Sequence, residues 1–566
     1  MGVRARVAAA PRAAARWIAA AVAAAALLSG CSSSADTADG TGQAGAVPPS
    51  GPSPSDASSA AAGATGSGAA DGAEPPSAAP QACEADPGAR RMRGAWLTTV
   101  RNIDWPSEPG LSAEEQREEL DAYLDDAAGL GLNAVFLHVR PTADAVYESD
   151  LEPWARYLTG EQGGDPGYDP LEYAVEGAHE RGLELHAWFN PYRVGFLDPD
   201  LANLAEGHPA EENPDWVVEH GEEAYLDPGE PEVRAWVTGV VLDVVERYDV
   251  DGVHFDDYFY PYPQPGEAFD DDATWEEYGG DFDDRADWRR DNVDRLVADV
   301  HEGIQAAKPW VSFGVSPFGI WRNRDSDASG SRTSGLESYD AQYADTRAWI
   351  QDGTIDYVAP QLYWDRGFDT ADYEVLTDWW ADEVEGTGVD LYIGQAAYRV
   401  GDDGWRGEDA LSTQLDYSGE DPRVAGDVYF SIRSLRENAA EAYARLAETH
   451  YPHPALPPGT AAEGHEPLTG RVGAVAARAD GDRVDVEWEP VEDARFYAVY
   501  RVAPDGAASA DGPGACPGPE PEDLVGVTGG TSLTDAAPVG DGGYVVTALD
   551  VFRSQGPVSA IARVRG

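Results

Sequence analysis

Two aspartates, Asp256 and Asp257, stand side by side at the end of the apolar run Gly252 to Phe255, with Tyr258, Phe259 and Tyr260 directly behind them. Neighbouring carboxyls repel when both are charged, so one of the two should keep its proton to higher pH. A carboxyl held protonated can act as a general acid. Glycosidic cleavage needs such a proton on the leaving oxygen and stabilisation of an oxocarbenium-like centre. The competing reading is structural, with one Asp capping the following loop and the other solvated.

Other apolar runs end in residues suited to the same work. Arg140 follows Val139, and Asn190-Pro191-Tyr192-Arg193 follows Phe189. Ser316, Trp321, Gln361, Tyr363, Trp364, Asp365, Gln395 and Tyr398 follow later runs. Arg140 and Arg193 could clamp a substrate carboxylate or pair with the aspartates. Asn190, Gln361 and Gln395 suit sugar hydroxyls and amides. Rings such as Tyr363 and Trp364 suit the C–H faces of sugars. The expected catalytic pair is therefore Asp256 and Asp257. The expected substrate contacts are Arg140, Asn190, Tyr192, Tyr258, Tyr260, Ser316, Trp321, Gln361, Tyr363, Trp364, Gln395 and Tyr398, with Asp365 as a candidate second carboxylate. His138 and His186 fall inside runs and read as interior histidines. No cluster has zinc spacing, so no metal or other cofactor is expected. Gly314-Val315-Ser316-Pro317 lacks the second glycine of a serine nucleophile elbow.

The elements that must carry these residues alternate regularly. Strands are expected at Met92 to Val100, Ala134 to Val139, Leu183 to Phe189, Gly252 to Phe255, Val311 to Val315, Tyr357 to Pro360, Leu391 to Gly394 and Asp427 to Phe430. Helical patterns lie between them, one opened by Ser112 with Glu115 three residues on, another by Asp169-Pro170. Eight strand–helix units predict an α/β fold, a (β/α)8 barrel over residues 89–452, whose working residues stand just past the strands. A Pro-rich linker (453–469) leads to alternating runs such as Val484 to Trp488 and Tyr544 to Asp550. These predict a small all-β sandwich over 470–566, and the stretch resembles a fibronectin type III domain.

Arg4, Arg6, Arg12 and Arg16 precede the apolar run Trp17 to Leu28, and Leu28-Ser29-Gly30-Cys31 follows. This reads as a signal peptide over residues 1–30, and its end resembles a lipobox, so Cys31 is the expected lipidation site. The chain would then be an extracytoplasmic lipoprotein touching the membrane through its lipid anchor only. Residues 31–88, mostly Ala, Gly, Ser and Pro, read as a disordered tether. Export makes a disulfide between Cys83 and Cys516 possible. The net charge of −64, with 103 acidic against 39 basic residues, argues against nucleic acid as a partner.

Six ordered segments carry a resemblance: RGAWLTTVRNIDWPS from Arg93, NAVFLHVRPTADAVYESDLEPW from Asn133, LHAWFNPYRV from Leu185, DGVHFDDYFYPYP from Asp251, GVSPFGIWRN from Gly314 and VAPQLYW from Val358. Over about residues 90 to 450 the chain resembles bacterial family 10 of the glycosyl-hydrolase-like barrels. The resemblance implies a (β/α)8 glycoside hydrolase of the cell envelope acting on a polysaccharide, best represented by peptidoglycan glycan strands that lack stem peptides. Adjacent acids after strand four also resemble N-acetylglucosaminidase barrels that use substrate assistance. By that analogy Asp256 would polarise the 2-acetamido group and Asp257 would be the acid/base. The rival scheme pairs one of them with Asp365, at about 5–5.5 Å for a direct nucleophile or about 6.5–9.5 Å for inversion. A non-catalytic glycan-binding barrel and a hydrolase of another exopolysaccharide are the remaining readings.

Overall fold

The computed structural model describes residues 90–195, 201–460, 465–503, 519–538 and 542–565. The expected signal peptide, tether, lipidation site Cys31 and cysteine pair Cys83 and Cys516 lie outside the described residues.

Eight parallel strands close into a barrel: β1 (Met92–Leu97), β2 (Ala134–Arg140), β3 (Glu184–Phe189), β4 (Gly252–Phe255), β5 (Ser312–Val315), β6 (Tyr357–Val358), β7 (Asp390–Gln395) and β8 (Val424–Tyr429). Neighbours in sequence are neighbours in space, and β8 pairs β1 through Met92 and Gly426 to close the ring. A helix follows each strand: α1 (Ala113–Gly129), α2 (Pro170–Glu180), α3 (Pro231–Arg247), α4 (Arg285–Ala307), α5 (Thr346–Asp352), α6 (Tyr373–Val384), α7 (Ser412–Ser418) and α8 (Ala440–His450). The two helix starts read from sequence behave as expected. Ser112 and Glu115 form a reciprocal capping box on α1, and Asp169 accepts from Leu171 and Glu172 at the head of α2.

Strand residues facing outward pack with the helices, as Val135, Leu137, Leu185, Val253 and Phe313 do. The inward faces hold a smaller cluster with Trp96, Phe136, Trp188, Tyr357 and Tyr392. These rings fit because their neighbours are small: a β-carbon at Gly252 would overlap the His186 ring, and one at Gly314 the Tyr357 ring. One insertion has no counterpart in the sequence reading. After β3 the chain builds a three-stranded sheet from Arg193–Gly195, Glu223–Leu226 and Val217–His220 before α3 begins.

Among its described residues the C-terminal region contains seven strands: β9 (Gly473–Asp480), β10 (Arg483–Glu489), β11 (Phe496–Val502), β12 (Leu524–Thr528), β13 (Ser532–Asp535), β14 (Gly543–Leu549) and β15 (Ala562–Arg565), in the order β12-β11-β14-β15-β9-β10-β13. Alternation along β11 and β14 explains why both their faces are buried. Tyr497, Val499 and Val546 join Trp488 in one core, while Phe496, Ala498, Tyr500 and Val545 join Leu456 in another. Leu456, inside the expected linker, is fully buried, and its carbonyl accepts from the Arg91 amide just before β1.

This sheet is fastened to the foot of the barrel by arginines. Arg495 on the β11 side binds Asp249 at 2.5 Å and Asp251 at 3.3 Å. Asp251 also meets His179 at 2.8 Å. Burial opposes ionisation of Asp251, but His179 and Arg495 outweigh it and hold the carboxyl well below its usual range. Arg553, buried and at φ 64°, pairs with Glu184 at the start of β3 and donates to the carbonyls of Trp310 (2.8 Å) and Asp251 (3.1 Å).

Candidate active site

Register places three strand ends in one layer. The Asn190 backbone N–H donates to the Arg140 carbonyl at 3.0 Å, and that of Ser316 donates to the Phe255 carbonyl at 2.9 Å, so the residues after β3, β4 and β5 lie side by side. Asp256 and Asp257 are the central members of this layer.

Asp256 accepts from the Asn190 side-chain amide at 3.2 Å, from Gln361 at 3.3 Å and from the Asp257 backbone N–H at 2.9 Å. Asp257 accepts from the Tyr262 hydroxyl and, at 3.0 Å, from Gln342. Burial, then the charge of Asp257, push Asp256 well above the usual carboxylate range, although Arg193 pulls the other way. Asp256 is therefore a carboxyl that keeps its proton to higher pH than usual. Of the two it is also the less buried, at 8% exposure against 3%. Arg193 lies 3.8 Å over the Tyr258 ring and donates to Asn190 at 3.3 Å, placing a guanidinium behind the pair.

Half-buried rings surround the pair. Tyr258 and Tyr262 meet edge to face at 5.8 Å, Tyr262 meets Phe318 at 6.2 Å, and Tyr363 meets Tyr398 at 5.7 Å. Beside them, past Tyr262 and Gln342, lies a shallow, open depression lined in part by Pro263, Asn323, Glu337 and Asp340. Amide groups, edge-on phenols and a carboxyl holding a proton suit a polyhydroxylated ligand.

The expected site residues divide into two groups. Asp256, Asp257, Asn190, Tyr258, Gln361, Tyr363 and Tyr398 gather at the mouth. The others do not. Arg140 is fully buried against Glu152 at 2.5 Å and holds the Asn190 and Pro191 carbonyls, so it braces the loop instead of binding substrate. Tyr192 is core, and Tyr260 packs edge-on to Phe269 and Tyr343. Trp321 stacks on Trp379, and Trp364 backs Phe318. Gln395 is sealed between Tyr373 and Asp427. Ser316 turns its hydroxyl inward to His254, although its carbonyl holds Gln361 at 2.9 Å. Asp365 abuts Gly404 on the loop after β7. Large rings behind a strand end lose most free energy when exposed, so these turned under the loops.

Sequence reasoning misses two contributors to the pair, Tyr262 and Gln342, and one buried acid elsewhere at the strand ends, Asp104. Tyr262 lies within one of the six segments, but nothing in its spacing sets it apart from the tyrosines beside it. Gln342 reaches Asp257 from the far side of a long loop, which no local pattern signals. Asp104, after β1, is buried between the Thr98 amide and the Ser431 hydroxyl, both at 2.8 Å, and burial pushes it up to about 6.

A family model described as glycosyl hydrolase-like 10 matches residues 91–409. The chain is 45% identical over 423 residues to glycosyl hydrolase YngK of Bacillus subtilis (strain 168), covering 73% of this chain and 83% of that one. It is 42% identical over 382 residues to glycosyl hydrolase DigH of Escherichia coli (strain K12), covering 63% and 85%. Among solved structures, the PgaB (BpsB) glycoside hydrolase domain from Bordetella bronchiseptica is similar at 14% identity and a TM-score of 0.43, over 63% of this chain and 98% of that one. On the extent of the family match and the identity to both relatives, this chain belongs to the glycosyl hydrolase-like 10 family.

Proposed function

We propose that this glycoside hydrolase cleaves cell-wall polysaccharide, namely peptidoglycan glycan strands stripped of their stem peptides, outside the cytoplasm and from a lipid anchor at Cys31. The observation that carries the reading is the buried, adjacent pair Asp256–Asp257, held from Asn190 and Gln361 on one side and from Tyr262 and Gln342 on the other, with burial and the charge of Asp257 raising Asp256. In the reaction proposed, Asp256 gives its proton to the glycosidic oxygen as the bond from C1 to that oxygen breaks. The substrate's 2-acetamido oxygen forms a bond to C1 from the opposite face, and Asp257 accepts the acetamide N–H. Water then attacks C1, returns one proton to Asp256 and reopens the ring formed by the acetamide. The analogy drawn from sequence assigned these roles the other way round; the upward shift of Asp256 favours it as donor. Substrate assistance is supported by where the acids lie. Asp256 and Asp257 sit together, and the alternative partner Asp365 packs at Gly404.

The test is mass spectrometry of products released from purified, peptide-free glycan strands, with neutral glucans in parallel. Wild type should release shortened N-acetylated products, and Asp256→Asn should bind the strands without releasing them. Release from neutral glucans instead would point to another exopolysaccharide and would exclude acetamide assistance. Binding without any release would mark a glycan-binding barrel.

A further inference from the structure

A column of hydrogen bonds runs up the axis of the barrel, from the C-terminal sheet to the layer that holds Asp256. At its foot Arg553 pairs with Glu184. Glu184 meets His186 Nε2 at 3.2 Å, and His186 Nδ1 meets the Tyr357 hydroxyl at 3.2 Å. The same hydroxyl meets His254 Nδ1 at 3.1 Å. His254 Nε2 meets the Ser316 hydroxyl at 2.9 Å and the Trp96 indole N–H at 3.1 Å. The Ser316 carbonyl then holds Gln361, whose amide holds Asp256.

The chemistry of the two ends allows this column only one polarity. An indole N–H donates and never accepts, so His254 Nε2 is the bare nitrogen and Nδ1 carries the hydrogen. Tyr357 then accepts from His254, and its one hydrogen has two acceptors in reach, His186 Nδ1 at 3.2 Å and the Val253 carbonyl at 3.4 Å; with a neutral His186 the nearer one takes it. His186 is left with its hydrogen on Nε2, pointed at Glu184. A carboxylate paired with arginine only accepts, so the lower end agrees with the upper one. Burial also holds His254 well below its usual titration range, in keeping with a neutral ring.

We propose that Arg553, together with Glu184, His186, Tyr357, His254 and Trp96, forms a positioning column through which the C-terminal domain sets the placement of Ser316, Gln361 and hence Asp256. The inference rests on the reading of Asp256 as the acid. None of the column's side chains reaches the mouth. Without Arg553 the Glu184 carboxylate loses the ion pair that fixes its orientation toward His186. The lower half of the column then has no set direction, and the Tyr357 hydroxyl can turn from His186 to the Val253 carbonyl.

The experiment uses the full chain with Arg553→Met, Arg553→Lys, Trp96→Phe and Asp256→Asn, assayed on peptide-free glycan strands. Histidine tautomers are read by 15N NMR. For Arg553→Met and Trp96→Phe, kcat should fall about tenfold with KM within about twofold, because positioning is disturbed and substrate contacts are not. Arg553→Lys, which keeps the charge, should recover most of kcat. In the wild type His254 should carry its hydrogen on Nδ1 and His186 on Nε2. Trp96→Phe leaves the domain interface intact and keeps the test alive if Arg553→Met does not fold. Wild-type kcat in folded Arg553→Met or Trp96→Phe, or the opposite tautomer at His254, overturns the column. Full turnover by Asp256→Asn, with the tautomers as stated, overturns the reading of Asp256 and leaves the column's geometry standing.

Discussion

Replacing Asp256 by Asn should remove turnover and, at neutral pH, stabilise the fold. The side chains have the same shape, and the new amide can still accept from Gln361 and the Asp257 N–H; the hydrogen bond from Asn190 is lost, an offset that does not vary with pH. The catalytic loss should be about 10²- to 10⁴-fold, the usual worth of a positioned proton donor, equivalent to roughly 3–5 kcal/mol of transition-state stabilisation. The stability effect follows from linkage. The folded state holds Asp256 protonated well above the usual carboxylate range, whereas the unfolded chain releases that proton at about pH 4. A raised folded value gives a contribution that is complete below the unfolded value and is lost as pH rises toward the folded one. Asn does not titrate, so the variant's advantage should grow by about 1.4 kcal/mol for each pH unit over which Asp256 stays protonated. Chemical unfolding of both proteins at several pH values from about 4 to 8, beside single-turnover kinetics, measures both effects. Parallel stability curves between about pH 5 and 7 would refute the upward shift of Asp256.

Three further outcomes are expected. Arg140→Met leaves Glu152 buried without its partner and should lower unfolding free energy by about 3–5 kcal/mol in denaturant titrations. Tyr262→Phe removes the hydroxyl that donates to the buried Asp257; kcat should fall about tenfold or more, and unfolding free energy by about 1–3 kcal/mol in denaturant titrations. Gly314→Ala drives a methyl into the Tyr357 ring and should cost about 1–3 kcal/mol in stability, with a fall in kcat measurable in the folded fraction.

Much of the barrel was legible because its signals are local. Capping at Ser112 and Asp169, and short apolar runs at regular intervals, depend only on residues near one another in sequence. The adjacent aspartates were legible for the same reason. What was not legible depends on which way a side chain turns after its strand. Tyr192, Tyr260, Trp321 and Trp364 have the same identity whether they line a mouth or underlie a loop, and only the packed neighbours decide. Arg140 met Glu152 in place of a ligand, since a buried guanidinium takes the nearest carboxylate that satisfies its fork. Gln342 and Arg553 reach their partners across long stretches of chain, where composition and spacing carry no information.

The docking of Arg553 bears on how the protein is made. Arg553 follows Glu184 by 369 residues, so the carboxylate waits, solvated, for a cation made long after it. A chain translated or threaded from its N-terminus therefore acquires a sealed underside only once the C-terminal sheet has followed the barrel. Products of premature termination would carry an open, hydrated base and should be the ones that proteases remove.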